Sequence, residues 1–366
     1  MAHIGIAGAG LLGRLLAWRL HALGHRVEVF DPAAGPGPRF HADGPTPAGD
    51  AQCAGFSAAG MLSPLAELDN AEPALAALGW RSIGLWRAIT AALPRTPMLR
   101  EQGSLLLAHR QDLGAAQRVL DRLAQARRSP AWRAPDGQDA PQPLDAAALR
   151  ALEPAVHGPA HAWHLPGEGQ IDPVATLLAL VDGAPGVGWH WGRHIAEVHE
   201  QGVLVDQAGE AMAFEHVLDV RGCGARPQAP VRGVRGETVW LHAPGVGLRR
   251  PLRLLHPRHR VYLVPRPDDV VVLGASEIES EDRSPVSLKS AVELMAAAHS
   301  VVPALAEARI LRLDVNLRPA YADHAPRIEH HGRRLRINGL FRHGWLLAPA
   351  LVEQALREAG LGELCP

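Results

Sequence analysis

Three glycines and one acid near the start of the chain have the spacing of a dinucleotide site. Gly8-Ala9-Gly10-Leu11-Leu12-Gly13 fits G-x-G-x-x-G, and Asp31 follows 18 residues after Gly13. Each residue answers a different demand. Gly8 permits the tight turn, and Gly10 lets backbone approach a pyrophosphate. That pyrophosphate would sit at Leu11 and Leu12, where a helix N-terminus offers free N–H groups. Gly13 lets helix and strand pack closely, and Asp31 can accept hydrogen bonds from ribose hydroxyls. A second run, Ser57-Ala58-Ala59-Gly60-Met61-Leu62-Ser63-Pro64, is built almost entirely of small residues. It suits backbone lying against a flat ring, and equally a simple small-residue turn.

These residues need particular elements around them. His3 to Ala7 reads as a short buried strand, Leu11 to Leu23 as a helix stopped by Gly24, and Arg26 to Phe30 as a second strand ending at Asp31. A glycine-rich turn without a ligand needs none of that frame. Further on, residues 72–93 and 112–127 show helical spacing, and Gly103 to Ala108 reads as a strand. Asp145 and Asp172-Pro173 are helix starts, each with an acid at the N-cap. From 187 to 274 the pattern changes to short strands with turn signals. A helix over 286–302, strands near 310–317 and 334–338 and a final helix from about 344 to 359 complete the order. Residues 32–50 and 129–143 read as Pro-rich loops. The order fits two domains whose segments interleave.

Bulk properties exclude several function classes. The net charge is −1, from 37 Lys+Arg against 38 Asp+Glu, which gives no electrostatic case for nucleic acid or an anionic membrane. No apolar run reaches the ~18 residues needed to span a bilayer, and MAHIGIAGAG reads as a first strand rather than a signal peptide. The three cysteines, Cys53, Cys223 and Cys365, are far apart and form no CxxC, which suits a reducing cytoplasm and argues against a disulfide framework or zinc site. The 20 histidines are scattered, and pairs such as His330-His331 lack a partner at metal spacing, so no metal is expected. At 366 residues the chain is long enough for about two domains.

The glycine motif alone leaves FAD and NAD both open. Four later segments decide between them. Val261-Tyr262-Leu263-Val264-Pro265-Arg266, Leu273-Gly274-Ala275-Ser276, Asn316-Leu317-Arg318-Pro319 and Phe341-Arg342-His343-Gly344-Trp345-Leu346-Leu347-Ala348-Pro349 occur in that order. With the GAGLLGR opening and the SAAGMLSPLAE run, this series resembles the FAD-dependent D-amino-acid-oxidase family over essentially the whole chain. Within the family it is similar to the glycine oxidases of thiamine biosynthesis. The resemblance implies an α/β (α+β) two-domain fold, with a Rossmann-type FAD-binding domain (1–80, 145–230 and 318–366) interleaved with an antiparallel-sheet substrate domain (81–144 and 231–317). It implies non-covalent FAD, held by the glycine loop and Asp31, by Ala59, Gly60 and Met61 along the ring, by Ile195 and Gly222, and by the backbone of Leu340, Phe341, His343, Gly344, Trp345 and Leu346. Leu346-Leu347-Ala348-Pro349 would open a helix aimed at the ring edge where negative charge collects on reduction.

The resemblance also assigns a substrate site. Arg318 falls where the family holds a substrate carboxylate, a task suited to a guanidinium fork. Tyr262 falls where a phenol supplements that contact, and Arg342 where a second active-site arginine stands. The implied reaction is oxidation of glycine or a similar small amino acid by oxygen, giving an imino acid and hydrogen peroxide. Phe341 and Trp345 are expected to narrow the pocket. A homo-oligomer and hand-off to a thiazole-forming partner are further implications. The departures are Asp31 in place of the more frequent Glu, Arg221 beside Gly222, free to face a phosphate or solvent, and Glu277. Glu277 lies 15 residues after Tyr262, where glycine oxidases can carry an apolar pocket residue. Pointing inward, it would make the pocket polar and attract a cationic amine. Two alternatives stay open: a related sarcosine or D-amino-acid oxidase or dehydrogenase, and a flavin-binding protein without turnover.

Overall fold

The computed structural model describes residues 1–38, 52–68, 72–135, 137–138, 140–255 and 260–362. Cys365 and most of the Pro/Gly-rich segment before Gln52 lie outside the described residues. Among the described residues, the strands form two large sheets and two small ones.

The six-stranded sheet runs Arg327–His331, Arg334–Asn338, His216–Asp219, His3–Ala7, Arg26–Asp31, Gly188–Trp191. Its pairings are parallel except at the Arg327–His331 edge. His3–Ala7 is central, with Ile4, Ile6 and Ala7 fully buried, as a parallel strand covered on both faces requires. The helix Leu11–Ala22 returns to the second strand and buries Leu15, Leu16, Ala17 and Leu20. Full burial of one such leucine contributes about 1.5–3 kcal/mol.

The eight-stranded sheet runs Arg309–Ala320, Arg232–His242, Val270–Gly274, Arg260–Pro265, Leu252–Leu255, Ser104–Ala108, His161–Leu165, Gln142–Leu144. It is antiparallel apart from the pairing of Leu252–Leu255 with Ser104–Ala108. The helix Leu288–Val301 packs through Leu294, Ala298 and Val301 into this sheet's core. The strand His161–Leu165 belongs here, so the stretch 145–230 contributes to both large sheets.

The expected helix starts hold. Asp145 accepts from the N–H groups of Ala147 and Ala148, and Asp172 accepts from Ala175 with Pro173 in the first turn. The final helix spans Gly344–Glu358, matching the expected 344–359. Pro349 within it has no N–H to offer the Trp345 carbonyl. The Trp86 indole donates to that carbonyl instead, at 2.7 Å, which ties the helix Pro73–Ala92 to the final one.

Candidate functional site

One cavity of about 1390 Å³ opens between the two large sheets. It exceeds the roughly 300–1,000 Å³ of an ordinary small-ligand pocket. At one end it is lined by Gly8, Gly10, Leu11, Leu12 and Asp31, and at the other by Tyr262, Arg318 and Arg342. Ala59, Gly60, Met61, Ile195, Gly222, Leu340, Phe341, His343, Gly344, Trp345 and Leu346 all line it between these ends. Gly13 does not line it: a Cβ there would lie 1.8 Å from the Gly8 carbonyl oxygen, so its task is close packing.

At the dinucleotide end, Gly10 caps the first helix without a side-chain bond, leaving its first turn turned to the cavity. Asp31 accepts from Ala9 N at 2.6 Å and Ala33 N at 2.8 Å, one backbone donor per oxygen, and keeps lone pairs for further donors. Arg14 is buried behind the turn. It donates to the carbonyls of Ala9, Leu177 and Pro36 and lies over the rings of Phe56 and Trp191. Arg221 lines the cavity, and its guanidinium is held by protein partners. It forks onto Asp219 at 2.9 and 3.0 Å and reaches the Ile195 and Ala196 carbonyls, because Asp219 is buried and needs its charge matched.

The middle of the cavity is walled by the small-residue run. Gly60 has φ +67°, and a Cβ there would lie 2.3 Å from the Ile171 carbonyl oxygen. Arg266, fully enclosed, donates to the carbonyls of Ile171 and Ala59, and burial lowers its pKa to about 10. Opposite stands the final helix, whose N-cap His343 makes no side-chain cap bond. Two helix N-termini therefore face one elongated cavity with a flat, side-chain-poor wall. These features fit a dinucleotide carrying a planar ring, and FAD is such a group.

At the far end the eight-stranded sheet is the floor. Tyr262, Gly274 and Thr238 stand side by side on neighbouring strands. A Cβ on Gly274 would meet the Tyr262 ring at 2.6 Å, and one on Gly236 would meet the Arg318 guanidinium at 2.5 Å. The two glycines thus let both side chains lie down on the sheet. Arg318 donates to the carbonyls of Ser276 and Arg235, and among the described residues it has no carboxylate within ion-pair distance. The Tyr262 hydroxyl makes no hydrogen bond among the described residues. Burial raises its pKa, opposed by the nearby cations of Arg318 and Arg342. A half-buried cation without a carboxylate, beside an unbonded phenol, can receive an anion with two oxygens.

Arg342 is occupied. Its Nε lies 3.1 Å from Glu67 and its terminal nitrogen 3.2 Å from Glu277. Glu67 also lies 3.2 Å from His343 Nδ1 and 3.8 Å from Arg253. Burial opposes its charge, but Arg342 and His343 hold its pKa far below the usual carboxylate range. Glu277 therefore does face the cavity, at its rim, with its side chain 46% exposed. Phe341 and Trp345 both wall the cavity. Phe341 adopts φ +49° and stacks on His324 at 4.3 Å. Trp345 stacks on Trp86 at 5.4 Å and donates to the Gly55 carbonyl.

Sequence reading assigned no role to Glu67, Arg253, Arg266 or Glu168. Glu168 sits under the floor, fully buried, accepting from Ser104 Oγ at 2.5 Å and Ala66 N at 2.9 Å, and burial raises its pKa to about 7. Only Glu67 and Arg266 fell within quoted segments, and their partners are remote in sequence. Among the described residues there is no group of three His, Cys, Asp or Glu that could hold a metal, and no helix long and apolar enough to cross a membrane.

Comparison with known proteins agrees with this geometry. The family model described as DAO, FAD dependent oxidoreductase, matches residues 3–355. The chain is 35% identical to a putative thiamine biosynthesis oxidoreductase ThiO of Rhizobium etli, over 96% of this chain and 94% of that one. It is 25% identical to a bifunctional protein ThiO/ThiG of Trichormus variabilis, over 94% of this chain and 50% of that one. The fold is similar to the crystal structure of glycine oxidase from Geobacillus kaustophilus, with a TM-score of 0.76 and 24% identity, covering 98% of this chain and 94% of that one.

Proposed function

The chain belongs to the DAO family of FAD-dependent oxidoreductases, and on that premise we propose that it oxidises glycine or a similarly small amino acid. The observation that carries the substrate class is Arg318, a half-buried guanidinium without a carboxylate partner among the described residues, beside the unbonded hydroxyl of Tyr262. A two-point clamp of this kind binds a carboxylate and fixes its orientation. FAD, when bound, supplies the two-electron acceptor, and reoxidation by oxygen would yield hydrogen peroxide.

This chain's residues do the rest. Arg318 and Tyr262 hold the carboxylate against the sheet floor. Phe341 and Trp345 narrow the space beside it and keep water away from the reacting carbon. The amine must be neutral to be oxidised, and the chamber supports that. Glu67 is tied to Arg342 and His343, and Glu277 to Arg342, so neither is a free base. The amine then gives up its proton on binding or to water. The N-terminus of the Gly344–Glu358 helix, which opens on the cavity, would favour the negative charge that collects on reduction.

The two-domain division follows the sheets: a cofactor half around the six-stranded sheet and a substrate half around the eight-stranded one. The imino acid product would serve thiamine formation, passed to a thiazole-forming partner. The resemblance to ThiO, and to a protein whose name joins ThiO with ThiG, supports that reading. A direct test is a panel of glycine, sarcosine and small D-amino acids with peroxide detection. Turnover of none of them, with the protein saturated in FAD, would refute the proposal.

A further inference from the structure

We propose that Glu277 is a specificity-determining residue: it completes the charge of Arg342 and so excludes amines that carry a second carboxylate. The inference rests on the small-amino-acid reading above and narrows its substrate class to monocarboxylates.

The charges at the chamber limit what it can take. The charges that act on Arg318 are those of Arg342, Glu277 and Glu67, with Arg253 beside Glu67, while Arg283, Lys289 and Glu293 also line the cavity. Arg342 lies between both carboxylates, at 3.1 Å from Glu67 and 3.2 Å from Glu277. Arg253 lies 3.8 Å from Glu67 and donates to the Ala66 carbonyl at 2.8 Å. Unlike Arg342 and Arg253, Arg318 has no carboxylate within ion-pair distance among the described residues. The charges around Arg318 therefore match one incoming carboxylate. A second would find Arg342 already occupied and would meet the like charge of Glu277.

Glu277 is also held in place. The preceding residue, Ser276, donates its hydroxyl to Glu237 at 3.0 Å, and its carbonyl accepts from Arg318 at 3.0 Å. The residue presenting the excluding charge and the residue presenting the accepting charge are thus linked through one carbonyl. A dicarboxylate seated on Arg318 cannot turn its second arm toward the rim without approaching Glu277. A neutral or cationic substituent meets no such barrier.

The test uses the FAD-loaded protein and needs no turnover for its first readout. Dissociation constants of acetate and malonate are measured from the change each causes in the visible flavin spectrum. Relative kcat/KM values for sarcosine and iminodiacetate follow; these amines differ by one carboxylate. We expect the wild type to bind acetate more tightly than malonate and to favour sarcosine. Glu277→Gln, equal in size but uncharged, should shift both ratios toward the dicarboxylate by about tenfold, the scale of one like-charge contact. Glu277→Asp should keep the wild-type preference. Equal ratios in wild type and Glu277→Gln, or tight malonate binding by the wild type, would overturn the inference. If no amine is oxidised, the functional reading fails, and the two anion constants still decide the role of Glu277.

Discussion

In the proposed function Arg318 is the residue on which recognition depends, and its surroundings set the size of the expected effect. Hydrogen bonds to charged groups contribute about 1.5–3 kcal/mol each, so loss of a two-bond contact should lower kcat/KM by roughly a hundredfold or more. We expect Arg318→Ala to show this loss mainly in KM. Arg318→Lys should recover only part of it, because an ammonium cannot present a fork. Steady-state kinetics with retained flavin absorbance distinguishes this from a folding defect, and unchanged KM in Arg318→Ala would exclude the assignment. That Arg318 and Tyr262 would line one cavity was legible in the sequence because ordered motifs mark them. Glu67 was not. It stands in a short helix in which an exposed Glu would be unremarkable, and Arg342, which gives it meaning, lies 275 residues away. The partner of Arg221 was not legible either: its position beside Gly222 left phosphate and solvent both open, and it pairs with the buried Asp219 two residues earlier.

At the scale of elements, the glycine turn makes two different demands that substitution should separate. Gly13→Ala places a methyl 1.8 Å from the Gly8 carbonyl oxygen, so strand and helix must move apart. Gly10→Ala meets only Cys53 Sγ, at 3.4 Å, and the added methyl enters the space a pyrophosphate would need. We expect Gly10→Ala to keep the thermal stability of the apoprotein while weakening FAD binding, and Gly13→Ala to lose both. Melting curves with and without FAD read the difference. Equal melting points for the two apo variants would contradict these roles.

A second element, the helical turn Pro64–Glu67, is tied to the sheet through Glu168. The Glu168 pKa rises from 4.5 to about 7 on folding. The folded state therefore holds a proton that the unfolded state has released, and stability falls as pH rises from about 4.5 to 7, then levels. Glu168→Gln keeps the acceptor for Ala66 N without the charge. It should flatten this part of the stability curve, and a curve parallel to wild type from pH 4.5 to 8 would rule out the assignment.

The regular elements were largely readable. The expected helix over 72–93 is Pro73–Ala92, and the one over 112–127 is Leu113–Ala126. Arg232–His242 falls in the stretch expected to hold short strands, but its 11-residue length was not legible, because VRGVRGETVW mixes charges and glycines at positions the sheet buries by pairing Arg235 with Glu237. Such compensation comes from tertiary partners and leaves no local period.

The two large sheets stand on either side of one cavity, and if one half holds the cofactor and the other the substrate, binding should couple them. FAD at a thousandfold excess over its Kd would stabilise the fold by about 4 kcal/mol, and calorimetry should show a single transition moving upward with FAD. Two transitions, only one of them shifted, would show that the halves melt independently. The interleaving was legible from the order of elements. The membership of His161–Leu165 in the second sheet was not, since a short strand does not announce which sheet it joins. The most direct measurement is the visible spectrum of the purified, FAD-loaded protein on adding glycine without oxygen, then with it. Bleaching of the yellow flavin, followed by recovery of colour and release of peroxide on aeration, is the expected result. A protein that binds no FAD, or whose bound FAD is reduced by neither glycine nor another small amino acid, would contradict the proposed function.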